Sequence, residues 1–229
     1  MSTIFGAISV ETPKFSVIKA LNLAGAEVRK YPAQVRAEVT YDIAPEASIA
    51  DGLNTPFRAL AGFIFGGNTS RAGGASEKVA MTAPVVMQTG AAEKIAMTAP
   101  VVMHTSPADA SAGAATDTAS AADTTAASGK RVMAFIMPSK YKTVDELPTP
   151  KDERVKLTEV PERTFAALRF RGVMTRDVVD ARTAELRAAA EREGLKLSVD
   201  PSLVQYCAYN PPWCLPWLRT NDILIPVAE

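Results

Sequence analysis

The stretch Ala26–Asp42, AEVRKYPAQVRAEVTYD, most narrows what this chain can fold into, because its side chains alternate on both sides of Pro32. Val28 and Lys30, then Val35, Ala37, Val39 and Tyr41, fall on two-residue spacing, the period of an extended strand. This predicts a strand pair or one bent strand. Beyond Pro45 the period changes: Ile49, Leu53, Phe57, Leu60 and Ile64 recur at spacings of four and three, a helical stripe. Pro45 suits a first helical turn and Gly66-Gly67-Asn68 an exit. Pro56 falls inside the stripe and predicts a kink or break, at a cost of up to about 3 kcal/mol.

Arg131–Pro138 and Lys156–Gly172 read as further strands. A second helix is predicted over Arg176–Glu193, with Thr175 as cap, Asp177 in the first turn, Gly194 at the stop and a stripe of Val179, Thr183, Leu186 and Ala190. Strands near Leu203–Tyr209 and Asp222–Val227 close the chain. Strands, a helix and strands, then the same again, make an α+β class with two similar halves.

Two segments interrupt this pattern. Glu77–Thr89, EKVAMTAPVVMQT, is repeated as Glu93–Thr105, EKIAMTAPVVMHT. Two copies are too few for a solenoid, and the short TGAA connector suggests a hairpin or neighbouring strands, with each Pro at an edge or bulge. Ser106–Gly129 has no large apolar side chain, so it buries too little to offset the entropy of ordering. It reads as a flexible insert at 106–129 within one domain over 26–229, after an N-terminal segment of residues 1–25.

Hydrophobic residues are 47% of the chain, ample for a core, while Lys+Arg and Asp+Glu stand at 25 each. A balanced surface disfavours nucleic acid and a polybasic membrane anchor, which both need a cationic field. No run reaches the roughly 18–20 apolar residues that span a bilayer, and the N-terminus lacks a cationic start followed by an apolar stretch. The only cysteines, Cys207 and Cys214, belong to no metal-type cluster, so a reducing, cytoplasmic location is expected.

Catalytic equipment is sparse. His104 is the only histidine; it is either a metal or iron ligand or an exposed histidine at a loop edge. Paired carboxylates such as Asp145-Glu146 and Asp152-Glu153 lie in polar surroundings, and the glycine clusters lack the spacing of phosphate loops. Tyr206–Arg219, YCAYNPPWCLPWLR, is different, combining two Trp, two Tyr, three Pro and two Cys. Its prolines stiffen it, and it reads either as one wall of an apolar cleft for a flat ligand or as a buried cross-connection. The methionines of the strands read as core filling.

AEVRKYP at Ala26–Pro32, FxxLxxFIFGGN at Phe57–Asn68, KxAMTAPVVM in both copies, FIMPSKY at Phe135–Tyr141, PTPKDERV at Pro148–Val155 and AYNPPWCLPWLRTNDI at Ala208–Ile223 resemble the SOUL haem-binding proteins. The doubled MTAPVV segment and the final motif are most similar to that family's plant and algal cytosolic branch. The resemblance implies a distorted antiparallel β-barrel of two pseudo-symmetric halves flanked by two α-helices. It also implies non-covalent binding of haem or protoporphyrin in an apolar groove, for buffering, transport or delivery. By position, Thr55, Arg58, Gly62 and Phe63 would form the helix side and Trp213, Leu215 and Trp217 the loop side, with Arg58 placed for a propionate. Lys30 stands where some family members carry a proposed axial histidine, which leaves His104, Cys214 or a tyrosine as candidate axial ligands, or none. A monomer with a tetrapyrrole as its partner, and no metal apart from haem, is expected. Two rival readings stand beside this one: an enzyme acting on a tetrapyrrole or other hydrophobic molecule, and a module whose groove binds a peptide helix.

Overall fold

The computed structural model describes residues 3–44, 51–89 and 129–228. The second copy of the doubled segment, His104, and all of the alanine-rich insert but Gly129 lie outside the described residues, as do Pro45 and Ile49.

The alternating stretch at the start becomes two strands, β2 (Ala26–Tyr31) and β3 (Gln34–Ile43), separated by Pro32 and Ala33. Ser16–Ala20 forms an exposed edge strand, β1, on β2. The first helix, α1, is Asn54–Ile64. Its first backbone bond runs from the Phe57 amide to the Leu53 carbonyl, so Pro56 precedes the first intrahelical donor. The kink expected at Pro56 is therefore absent: proline sits in the first turn, where an amide has no acceptor to lose. Gly66, at φ +113°, ends the helix, and the Gly67 amide donates to the Gly62 carbonyl at 2.7 Å. Asn68 locks this exit from a fully buried position, donating to the carbonyls of Phe63 (2.6 Å) and Glu77 (2.7 Å) and accepting from the Glu77 amide (2.9 Å).

Asn68–Thr69 (β4) pairs with Thr149–Pro150 (β7) in a small ribbon. The first MTAPVV copy supplies β5 (Val85–Thr89), its proline falling just before the strand, and Gly129–Ile136 is β6. Lys156–Val160 (β8) and Arg163–Arg171 (β9) split the long second stretch. Helix α2 runs Arg176–Arg192, capped as predicted by the Thr175 hydroxyl accepting from the Val178 amide. Gln205–Ala208 (β10) and Thr220–Pro226 (β11) complete the chain.

Nine strands form one antiparallel sheet in the order β1-β2-β9-β11-β10-β5-β6-β3-β8. No ladder joins its two edges among the described residues, so the sheet is open. Two short connections nevertheless bend it. β2 and β3 have five strands between them in the sheet, yet Tyr31 and Gln34 are three residues apart, at most about 11 Å of chain. Val160 and Arg163, linking β8 to β9, impose the same constraint. The sheet must curl until one face looks inward.

Strand alternation then assigns the faces. Outward, Val35, Ala37, Val39, Met133 and Phe135 meet Leu60, Phe63 and Ile64 of α1. On the other half, Leu168, Phe170, Ile223 and Ile225 pack with Leu186 of α2. Inward, Tyr31, Val86, Ile136, Phe165, Cys207 and Leu224 form a third cluster. The helices cover the apolar outer face, and the concave face carries a mixture of apolar and charged side chains.

Candidate functional site

Thr55, Arg58 and Gly62 share one face of α1 and all three are exposed. A Cβ built on Gly62 meets nothing within 4 Å, so that face is open. Arg58 makes no hydrogen bond or ion pair among the described residues. Phe63 differs from its expected place: it is 1% exposed and belongs to the core under α1. The cause is spacing, since Phe63 shares the buried stripe of Pro56, Ala59, Leu60 and Ile64. Phe65, one turn beyond Gly62, is exposed.

The Trp/Pro segment joins β10 to β11 as a braced loop. The Arg219 guanidinium donates to the carbonyls of Cys214 (3.1 Å) and Pro212 (2.6 Å), closing the loop on itself. Asn210 accepts from the Thr220 amide (2.6 Å) across its base. From the N-terminus, Ile4 accepts from the Leu215 amide (3.0 Å) and Gly6 from the Asn210 side chain (3.2 Å). Within this frame Trp213 and Trp217 remain 66% exposed each, which rules out the buried cross-connection for the indoles. Leu215 is half-buried. Cys214 is the buried member, its thiol 3.6 Å from the Leu215 carbonyl. No hydrogen bond, ring contact or ion pair joins the α1 face to this loop among the described residues. Where the outer sheet passes between the helices, Met87 and Val179 pack with Leu53, Met174, Tyr206 and Ala208 into an apolar floor.

Other candidates for coordination lie elsewhere. Lys30 points outward and pairs with Glu162 at 2.6 Å. Cys207 is buried on the concave face, and burial pushes its thiol pKa up. Among the described residues no group of three or more His, Cys, Asp or Glu side chains is placed to hold a metal ion. Both cysteines are unpaired.

The concave face holds charges that sequence reading did not pick out. Asp222, fully buried, accepts from Arg29 Nη1 (2.7 Å), Arg169 Nε and Nη2 (2.8 Å each) and the Tyr209 hydroxyl (2.7 Å). Burial alone would raise the Asp222 pKa, but the two guanidiniums hold it below the ordinary carboxylate value. Arg29 also reaches Glu27 (2.6 Å) and lies 4.4 Å over the Phe15 ring. Burial pushes the Tyr31 phenol up to about 12. Glu27, Arg29 and Tyr31 share the strand face opposite Val28, which alternation groups together without saying that it turns inward.

Together these features define a helix-flanked antiparallel domain with an exposed aromatic loop and an open helix face. A profile of the SOUL heme-binding protein family matches residues 10–93 and 88–226, and the chain belongs to that family. None of the curated proteins matches. Three solved structures share the fold. An uncharacterized conserved protein from Listeria innocua is 13% identical over 92% of this chain and 94% of its own, with TM-score 0.56. A hydrolase from Listeria innocua is 13% identical over 89% and 91%, with TM-score 0.53. The EcmrR C-terminal domain is 10% identical over 89% and 97%, with TM-score 0.50. Among the described residues no helix is long and apolar enough to cross a membrane.

Proposed function

We propose that this chain binds haem or a related tetrapyrrole reversibly and non-covalently, between the exposed face of α1 and the Trp/Pro loop, as a cytoplasmic carrier or buffer. The observation that carries the reading is the pair of indoles held two-thirds exposed on a loop braced by Arg219. A rigid aromatic surface loses little entropy when a flat macrocycle covers it. Covering both indoles contributes about 5–8 kcal/mol gross, from roughly 100–170 Å² each at about 25 cal/mol/Å². Gly62 leaves the helix face flat, and Arg58 is free to pair with a propionate.

In this reading the exposed indoles and the open α1 face supply two apolar surfaces for a flat ring. Cys214 lies beneath the loop with its thiol toward a carbonyl. On this reading hydrophobic enclosure between the helix face and the indoles supplies most of the affinity. Two buried, unpaired cysteines accord with a reducing compartment.

The test is a parallel titration with haemin and metal-free protoporphyrin. Both ligands saturate the wild type with similar affinity, Trp213→Ala weakens both alike, and His104→Ala leaves both unchanged. Absence of saturable binding by either ligand, or haemin binding that needs His104, would sink this reading.

A further inference from the structure

The Trp/Pro loop does not stand alone at its end of the molecule, because the single-turn helix Thr3–Phe5 is seated on it. Ile4 accepts from the Leu215 amide (3.0 Å), Thr3 Oγ1 from the Trp213 indole (3.4 Å) and the Gly6 carbonyl from the Asn210 side chain (3.2 Å). Gly6 has φ +84°, and a Cβ there would stand 2.8 Å from the Leu218 carbonyl oxygen, so glycine is what lets the segment lie this close. Held in this way, Phe5 is 68% exposed and Ile4 45%, on the segment that touches the loop bearing Trp213 and Trp217. Neither belongs to the surfaces assigned above to the tetrapyrrole.

Three properties of this patch decide what can cover it. It is uncharged, since residues 3–10 and 206–218 contain no Asp, Glu, Lys or Arg. Its backbone is closed: the Cys214 amide donates to Pro211 (3.0 Å) and the Leu218 amide to Leu215 (2.9 Å), Arg219 caps the carbonyls of Pro212 and Cys214, and Pro211, Pro212 and Pro216 have no amide to satisfy. It is also modest in size: the three aromatic side chains expose roughly 100–170 Å² each, about 300–500 Å² together. A second copy packed on the same patch would bury about 600–1,000 Å² in total, short of the roughly 1,200–2,000 Å² of a stable interface. A protein partner also draws on directional hydrogen bonds, about one per 100–200 Å², and the polar groups of this loop are largely engaged within it. A bilayer needs neither: each ring partitions by itself at the headgroup boundary, and backbone groups already paired add no desolvation cost there.

We infer that this patch docks the protein reversibly on a lipid bilayer, with Phe5, Ile4, Trp213 and Trp217 at the boundary between headgroups and acyl chains. A neutral patch matches a zwitterionic headgroup, phosphatidylcholine, and gains nothing from an anionic one. The docking goes beyond the tetrapyrrole reading and holds whether or not a ring binds. Trp213 and Trp217 serve ring and bilayer in turn; Phe5 and Ile4 serve the bilayer alone.

The test mixes the full chain with phosphatidylcholine vesicles and follows it by flotation and indole fluorescence. The protein floats with the vesicles, its emission shifts to the blue, and lipids brominated on the acyl chain quench it. Phe5→Ser, at an exposed position, keeps the melting temperature and the haemin titration of wild type and lowers vesicle partition roughly tenfold. Gly62→Leu, on the α1 face, leaves vesicle partition unchanged, so failure of the docking and failure of the groove are told apart. Absence of flotation and of the blue shift at millimolar lipid, partition undiminished in Phe5→Ser, or partition that requires phosphatidylserine would overturn the proposal. So would a concentration-dependent dimer in sedimentation that Phe5→Ser abolishes, which would give the patch to a second copy of the chain.

Discussion

Asp222→Asn tests how the concave face tolerates charge. The carboxylate accepts four hydrogen bonds between 2.7 and 2.8 Å from Arg29, Arg169 and Tyr209. Asparagine keeps the shape but turns one acceptor oxygen into a donor amide facing guanidinium. Arg169 is 42% exposed, so water takes over much of its share and its loss weighs little. Arg29 is 2% exposed and has no such relief. Breaking a buried pair by removing one partner costs about 3–5 kcal/mol. Glu27 stays 2.6 Å from Arg29 Nε and holds the figure near the lower end, about 3 kcal/mol. Urea unfolding followed by far-ultraviolet circular dichroism reads this directly, as a lower midpoint at constant slope. A loss below about 1 kcal/mol would refute the view that Asp222 neutralises Arg29 in a dry interior.

Three further outcomes follow from the same geometry. Because the Asp222 pKa lies below its unfolded value of about 3.9, its contribution is complete above roughly pH 4 and disappears as pH falls through the lower folded value; a pH series of urea midpoints shows a steeper acid loss in wild type than in Asp222→Asn. Asn68→Ala strands one buried and two part-buried backbone groups at the exit of α1 and lowers stability by about 2 kcal/mol in the same unfolding assay. Arg58→Glu places a repelling charge beside the propionates and weakens haemin roughly fivefold in a spectroscopic titration, while a porphyrin without carboxylates binds as before.

Much of the fold was legible because local signals and tertiary packing agree. Thr175, Asp177 and Gly194 bracket α2 in the sequence and bracket it in space, and the alternation on either side of Pro32 became β2 and β3. Pro56 misled because the apolar stripe continued upstream of the helix start; the Phe57 to Leu53 bond shows where the helix begins. At the site, composition singled out the Trp/Pro loop but left open whether it was exposed or buried; the structure exposes both indoles. Phe63 was misplaced because positional resemblance outweighed its own spacing with Leu60 and Ile64. The buried arginines were illegible for a different reason. A period of two gives each strand two faces but does not say which one the curled sheet turns inward. Arg29 and Arg36 sit opposite apolar stripes that the helices cover, so in sequence they look like solvent-facing residues.

The groove itself is most directly tested by Gly62→Leu. Nothing lies within 4 Å of a Cβ at this position, and leucine is favoured over glycine in a helix by about 0.5–1 kcal/mol, so the variant is at least as stable as wild type. The same side chain stands on the face where the macrocycle is expected to lie. The prediction is an unchanged or higher melting temperature together with a roughly tenfold or greater loss of affinity for both haemin and protoporphyrin. Undiminished binding of both ligands by the stabilised variant would contradict the assignment of the α1 face as the tetrapyrrole site.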